Sequence, residues 1–194
     1  VRKWNEDPFT KKARRENFEA RSVYKLKEID DREKLFRPST VVLDLGAAPG
    51  SWTQYALQKT KTGRVISVDI SPLNVTDARL TFLQIPIEEV DLVAVLGEQK
   101  VDLVLSDMAP KTSGIHDRDT ALSFELASAA LGAAKKHLKI GGHFVVKLFM
   151  GSEFEQYQKE MRAHFETVKL LRPESTRKQS REIFFIGKNF RSKT

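Results

Sequence analysis

Short apolar runs alternate with helix-like stretches along most of this chain, and that alternation narrows the fold more than any other feature. The runs are TVVLDL (40–45), RVISVDI (64–70), LTFLQI (80–85), VDLVLSD (101–107), HFVVKLF (143–149), TVKLL (167–171) and EIFFIGK (182–188). Amphipathic segments that predict helices lie between them at 51–60, 87–98, 118–138 and 152–164, and another at 22–34 precedes the first run. Strands separated by helices build a mostly parallel sheet covered on both faces. The last two runs are joined only by RPESTRKQSR. A connection without a helix joins antiparallel neighbours, so one strand of the seven is expected to be reversed. Residues 172–181 read as a mobile loop.

With 194 residues, of which 40% are hydrophobic, the chain is expected to form one domain over 1–194 with a sizeable core. It carries a formal charge of +7, which favours a polyanionic partner. The excess sits at the ends: residues 1–15 hold six Lys or Arg against two acids, and residues 172–194 hold seven against two. Charged ends are often no more than solvated, but Trp4 and Phe9 stand among the cations of the basic segment 1–21, and aromatics can stack on bases. There is no cysteine, and His116, His137, His143 and His164 show no metal-ligand spacing, so no metal site is expected. No apolar stretch reaches the ~18 residues of a membrane span and the start is not a secretory signal. The expectation is a cytoplasmic protein with no membrane partner.

The first strand runs into DLGAAPGSW (44–52). A nucleoside triphosphate loop needs Lys and then Ser or Thr after its last glycine, and here Gly50 is followed by Ser51 and Trp52. A dinucleotide turn needs a middle glycine for close approach to pyrophosphate, and only Gly46 and Gly50 are present. What remains is a small-residue turn without phosphate apparatus, with Asp69 at the end of the second strand placed to accept ribose hydroxyls. That combination points to a nucleoside bearing an amino-acid tail, S-adenosylmethionine. Tight strand-to-helix packing explains the glycines equally well, and Trp52 reads either as a cofactor contact or as a core residue.

Together with LSDMAPKTSG (105–114), FVVKLF (144–149) and SREIFF (180–185), the turn resembles the FtsJ/RrmJ family of RNA ribose 2'-O-methyltransferases over about residues 22–188. The resemblance implies a Rossmann-like methyltransferase fold, S-adenosylmethionine as cofactor, and a Lys-Asp-Lys-Glu tetrad around the target hydroxyl. The matching residues are Lys25, Asp107, Lys147 and Glu182, with Asp107 also facing the cofactor. One departure concerns adenine: where many relatives have an acid after the third strand, this chain has Ile85 and Pro86. Recognition of adenine is left to main-chain groups and apolar contact from Ile85. Lys111 beside SDMAP is a further candidate phosphate contact.

The tetrad also makes sense from residue chemistry alone. Lys147 interrupts an otherwise apolar strand, where an ammonium without partners costs several kcal/mol. Lys25, Asp107 and Glu182 taken singly read as a solvated-face lysine, a turn former and a surface acid. A ribose hydroxyl is a poor nucleophile and a sulfonium methyl an activated one, so an enzyme must chiefly align them and manage one proton. Lys147 is the candidate general base, burial and the like charge of Lys25 both favouring the neutral amine. Large-subunit ribosomal RNA, handled by a monomer, suits a short chain of this kind. Transfer RNA is the alternative within the class, and a non-catalytic RNA-binding module on a methyltransferase fold the alternative outside it.

Overall fold

The computed structural model describes residues 7–111 and 113–191; Trp4, with the rest of residues 1–6, lies outside them. In chain order the elements are α1 (Pro8–Arg15), α2 (Val23–Glu33), β1 (Val42–Leu45), α3 (Ser51–Lys59), β2 (Val65–Val68), β3 (Leu80–Leu83), a 3-10 turn (Ile87–Glu89) and α4 (Val93–Leu96). They continue with β4 (Val101–Ser106), α5 (His116–His137), β5 (Leu138–Phe149), α6 (Phe154–His164), β6 (Phe165–Leu171) and β7 (Glu182–Phe190).

All seven strands form one sheet in the order β3-β2-β1-β4-β5-β7-β6. β7 lies antiparallel between β5 and β6, and the other pairs are parallel. The expected α/β class with a single reversed strand is what forms. Because side chains alternate along a strand, each strand feeds two cores. Leu43, Ile66, Val104 and Val146 pack under α5 and α6, through Leu131, Tyr157 and Met161. Val42, Val65, Leu105 and Val145 pack under α2 and α3, through Leu26, Ile29 and Trp52. Strand order reverses at β1, whose neighbours β2 and β4 leave in opposite directions and open a crevice at the carboxyl edge.

Three local expectations change. The helix expected at 87–98 is broken into the 3-10 turn and the single turn α4, which Gly97 ends at φ +61. Its buried residues, Val90 and Leu92, are two apart, which is the period of extended chain and cannot serve one helix face. The basic segment contains a helix, α1, in its described part. Pro8 occupies the first turn and the Asp7 carboxylate accepts from Phe9 N at 3.1 Å, so a capping acid and a pre-set φ start it. Residues 172–181, read as mobile, are tied down: Arg172 donates to the carbonyls of Lys178 and Ser180, Arg21 donates to that of Ser175, and Glu174 N donates to Glu28.

Among the described residues no helix is long and apolar enough to cross a membrane, and no group of His, Asp or Glu is arranged to hold a metal ion.

Candidate active site

Strand periodicity brings the charged residues of the motifs to one place. Leu103, Leu105 and Asp107 share a face, as do Val145 and Lys147, Phe184 and Glu182, and Val42 and Asp44. That is the face covered by α2 and α3. Ser106 is paired with Val146, which sets Asp107 beside Lys147, and Phe149 is paired with Glu182 across the antiparallel ladder. Helix α2 reaches the same edge because its start is fixed to the start of α3. Ser22 and Ser51 hydroxyls meet at 2.8 Å, and Trp52 Nε1 donates to Ser22 O at 2.9 Å.

The tetrad is assembled as two ion pairs. Lys147, only 6% exposed, donates from Nζ to Asp107 Oδ1 at 2.8 Å and to the Asp107 carbonyl at 2.6 Å. Lys25 Nζ lies 2.5 Å from Glu182 Oε1, with the ammonium over the Phe184 ring. Glu182 offsets the Lys25 charge, so the cluster is not uniformly positive. A cleft lined by Arg21, Ser22, Lys25, Arg177, Ser180 and Glu182 opens onto this cluster.

Of the residues expected to hold the cofactor, Gly46 and Gly50 form the turn at φ +73 and +127, conformations that favour glycine. A Cβ on Gly46 would lie 2.4 Å from Met108 Cγ, and one on Gly50 2.4 Å from Val75 Cγ2. Tight packing of the protein on itself therefore requires both. Asp69 closes the turn: its Oδ2 accepts from Ala48 N at 2.9 Å and its Oδ1 from Ser71 N at 2.7 Å, each oxygen keeping a second lone pair. Ile85, half-buried, packs on the core at the end of β3, and Ile70 stands 70% exposed beside Asp69. Of the two readings of Trp52, the structure shows the core packing. Its indole is 2% exposed, donates to Ser22 O and is tilted against Phe184, so it packs in the core at the start of α3.

Three residues around the site have no role in the sequence reading. Asp44 is fully buried; its Oδ2 accepts from Thr53 at 2.7 Å and its Oδ1 has no partner. Burial, with Asp107 and Asp69 adding, pushes its carboxyl up to about 7 against the Thr53 hydrogen bond. A buried carboxylate oxygen without a donor, with the charges of Asp107 and Asp69 acting on it, fits a ligand that brings positive charge close to it, as the ammonium and sulfonium of S-adenosylmethionine do. Asp119 accepts from Ser113 N and Oγ, both at 2.8 Å, and from Gly114 N, which fixes the loop after Asp107 and holds its carboxyl below the usual range. Arg21 reaches the cleft from the chain before α2. The signal for Asp44 was present, since an acid in an apolar strand is as unusual as Lys147; Arg21 depends on tertiary packing.

A doubly wound sheet with one reversed strand, a glycine turn after β1 and an acid ending β2 defines the Rossmann-like methyltransferase class. Residues 18–190 match the FtsJ-like methyltransferase family model. The chain is 47% identical over 186 residues to the ribosomal RNA large subunit methyltransferase E of Bdellovibrio bacteriovorus, covering 93% of this chain and 95% of that one. It is 42% identical over 191 residues to the protein of the same name from Stenotrophomonas maltophilia, covering 96% and 90%. The crystal structure of a candidate ribosomal RNA methyltransferase of Plasmodium falciparum superposes with a TM-score of 0.81 at 28% identity, covering 91% of this chain and 100% of that one. The chain belongs to the FtsJ-like methyltransferase family.

Proposed function

We propose that the chain transfers a methyl group from S-adenosylmethionine to a ribose 2'-hydroxyl of large-subunit ribosomal RNA, acting as a monomeric single domain in the cytoplasm. The names of its relatives support the substrate, and the observation that carries the chemistry is the pair of ion pairs, Lys147–Asp107 and Lys25–Glu182, on one face of the carboxyl edge.

The turn from Gly46 to Trp52, Asp69 and Ile85 would hold the cofactor, with Asp44 as an acceptor for its positive charge. When bound, S-adenosylmethionine supplies a methyl carbon on a positively charged sulfur, activated for displacement. The protein's task is then alignment and one proton. Asp107 holds Lys147 Nζ with two acceptors, which fixes where a hydroxyl can meet it. A neutral Lys147 Nζ would take the hydroxyl proton as the ribose oxygen gained the methyl, the carbon–sulfur bond breaking with its electron pair left on sulfur. Glu182 holds Lys25 in turn, leaving the Lys25 ammonium free to donate to the same oxygen. Arg177 and Arg21, the latter paired with Asp7, line the cleft and would place guanidinium groups near the RNA backbone.

The test is to map ribose methylation across cellular RNA with and without the gene, and to restore it with purified protein, S-adenosylmethionine and large ribosomal subunits. Loss and recovery of one large-subunit site supports the proposal. Loss of a transfer RNA site alone, or RNA binding with no methyl transfer, refutes it in favour of one of the two alternatives.

A further inference from the structure

Asp44 is an acid in the interior of a parallel sheet, and the methyl-transfer step makes no use of it. It is 1% exposed and lies in register between Ser67 of β2 and Leu105 of β4. From α3, the Thr53 hydroxyl donates to Oδ2 at 2.7 Å and also meets Ser67 Oγ at 2.7 Å. Oδ1 is buried and has no donor. The charged groups that face it are both negative: Asp69 beyond β2 and Asp107 beyond β4. Lys147 on β5 is committed to Asp107. Among the described residues none forms an ion pair with Asp44. A carboxylate with a bare oxygen and two like charges is a poor occupant of such a place, and a neutral carboxyl a tolerable one.

A ligand that carries a cation into the crevice reverses that balance. We infer that Asp44 holds a proton in the empty protein and releases it when the cofactor binds, so that occupancy of the cofactor site is coupled to pH. The inference rests on the cofactor reading above. The Asp44 O–H bond breaks, the proton leaves to solvent, and the resulting carboxylate pairs with the positive charge that the ligand brings. With the carboxyl pushed up to about 7, mainly by burial, about half of the empty molecules carry this proton at neutral pH.

The probe is S-adenosylhomocysteine, the unreactive product, titrated calorimetrically into the full chain in two buffers of different ionisation heat. The difference in observed heat counts protons. At pH 7 the wild type is expected to release about half a proton per ligand bound, rising towards one at pH 6, with affinity falling about tenfold per pH unit below that. Asp44→Asn should release almost none and bind with an affinity that does not change over this range. Thr53→Val removes the donor that favours the ionised carboxyl, so it should release more than the wild type at pH 7, and it remains informative if the Asn variant does not fold. Equal proton release by wild type and Asp44→Asn, or no increase in Thr53→Val, overturns the inference while leaving the cofactor reading intact. Absence of any S-adenosylhomocysteine binding by the wild type overturns the cofactor reading, and the inference with it.

Discussion

Asp44 also makes the stability of the ligand-free protein depend on pH in a calculable way. Burial in the fold pushes its carboxyl up to about 7, from the 3.8 of a free chain. Between those values the native protein retains a proton that the unfolded chain has lost, so stability is highest at acid pH and falls as pH rises, by about 1.4 kcal/mol per pH unit. The loss is on the order of 4 kcal/mol by pH 7 and constant above it, if the side chain stays as buried as it is. Asp44→Asn abolishes the titration. Its amide leaves the same atom near Oδ1 without a partner, but that penalty is the same at every pH and cancels when two pH values are compared. Unfolding of both proteins by urea at pH 4.5 and pH 8 should show the variant gaining on the wild type by about 3 kcal/mol between them, since part of the effect is already lost at pH 4.5. In melting temperature, the gap should widen by about 10 °C for a chain of this length. A gap of the same size at both pH values would falsify the assignment of this proton to Asp44.

Other expectations concern the active site and its approaches. Lys147→Ala should reduce methyl transfer by ~10²- to 10⁴-fold with S-adenosylmethionine affinity nearly unchanged. Lys147→Arg keeps the charge and cannot give up a proton at usable pH, so it should be nearly as inactive; retention of most activity with the wild-type pH profile would make Lys147 a positioning group. Asp69→Ala takes an acceptor from the cofactor and from Ala48 N and Ser71 N, so cofactor affinity measured by calorimetry should fall by roughly 1.5 to 3 kcal/mol, and unchanged affinity would misplace the ribose. Neutralising Lys11, Lys12, Arg14 and Arg15 on α1 together should weaken RNA binding and flatten its salt dependence without altering cofactor binding. An unchanged salt slope would leave α1 as a solvated helix.

What could be read from the chain was whatever depends on the period of a strand. Lys147 among HFVV and LF is conspicuous because strand burial and positive charge conflict, and the same alternation that buries Val145 and Leu105 carries Lys147 and Asp107 to one face. The sheet followed from apolar runs for the same reason. The parts that were not legible are set by contacts distant in sequence. Nothing local distinguishes Trp52 as a cofactor ligand from Trp52 as the indole that fixes α2 to α3, because the deciding partner, Ser22 O, is thirty residues earlier. The loop 172–181 has the composition of a free segment, and is held by Arg21 and Glu28 from the opposite end of the chain. Helix α1 was hidden for a different reason: its cations look like a charge run, and the Asp7-Pro8 start signal is only two residues long.

The position of β7 sets the order in which the protein can become active. Among the described strands β6 pairs with β7 alone, and β7 follows the other six in the chain. A growing chain can pair β1 to β5 while it is being made, but the outer edge of β5 stays bare until residues 182–190 emerge. Glu182 is the first residue of that final strand, so the Lys25 ammonium has no counterion until then. The closing of the sheet and the pairing of Lys25 with Glu182 are one event, and neither can occur before residue 182 has been synthesised.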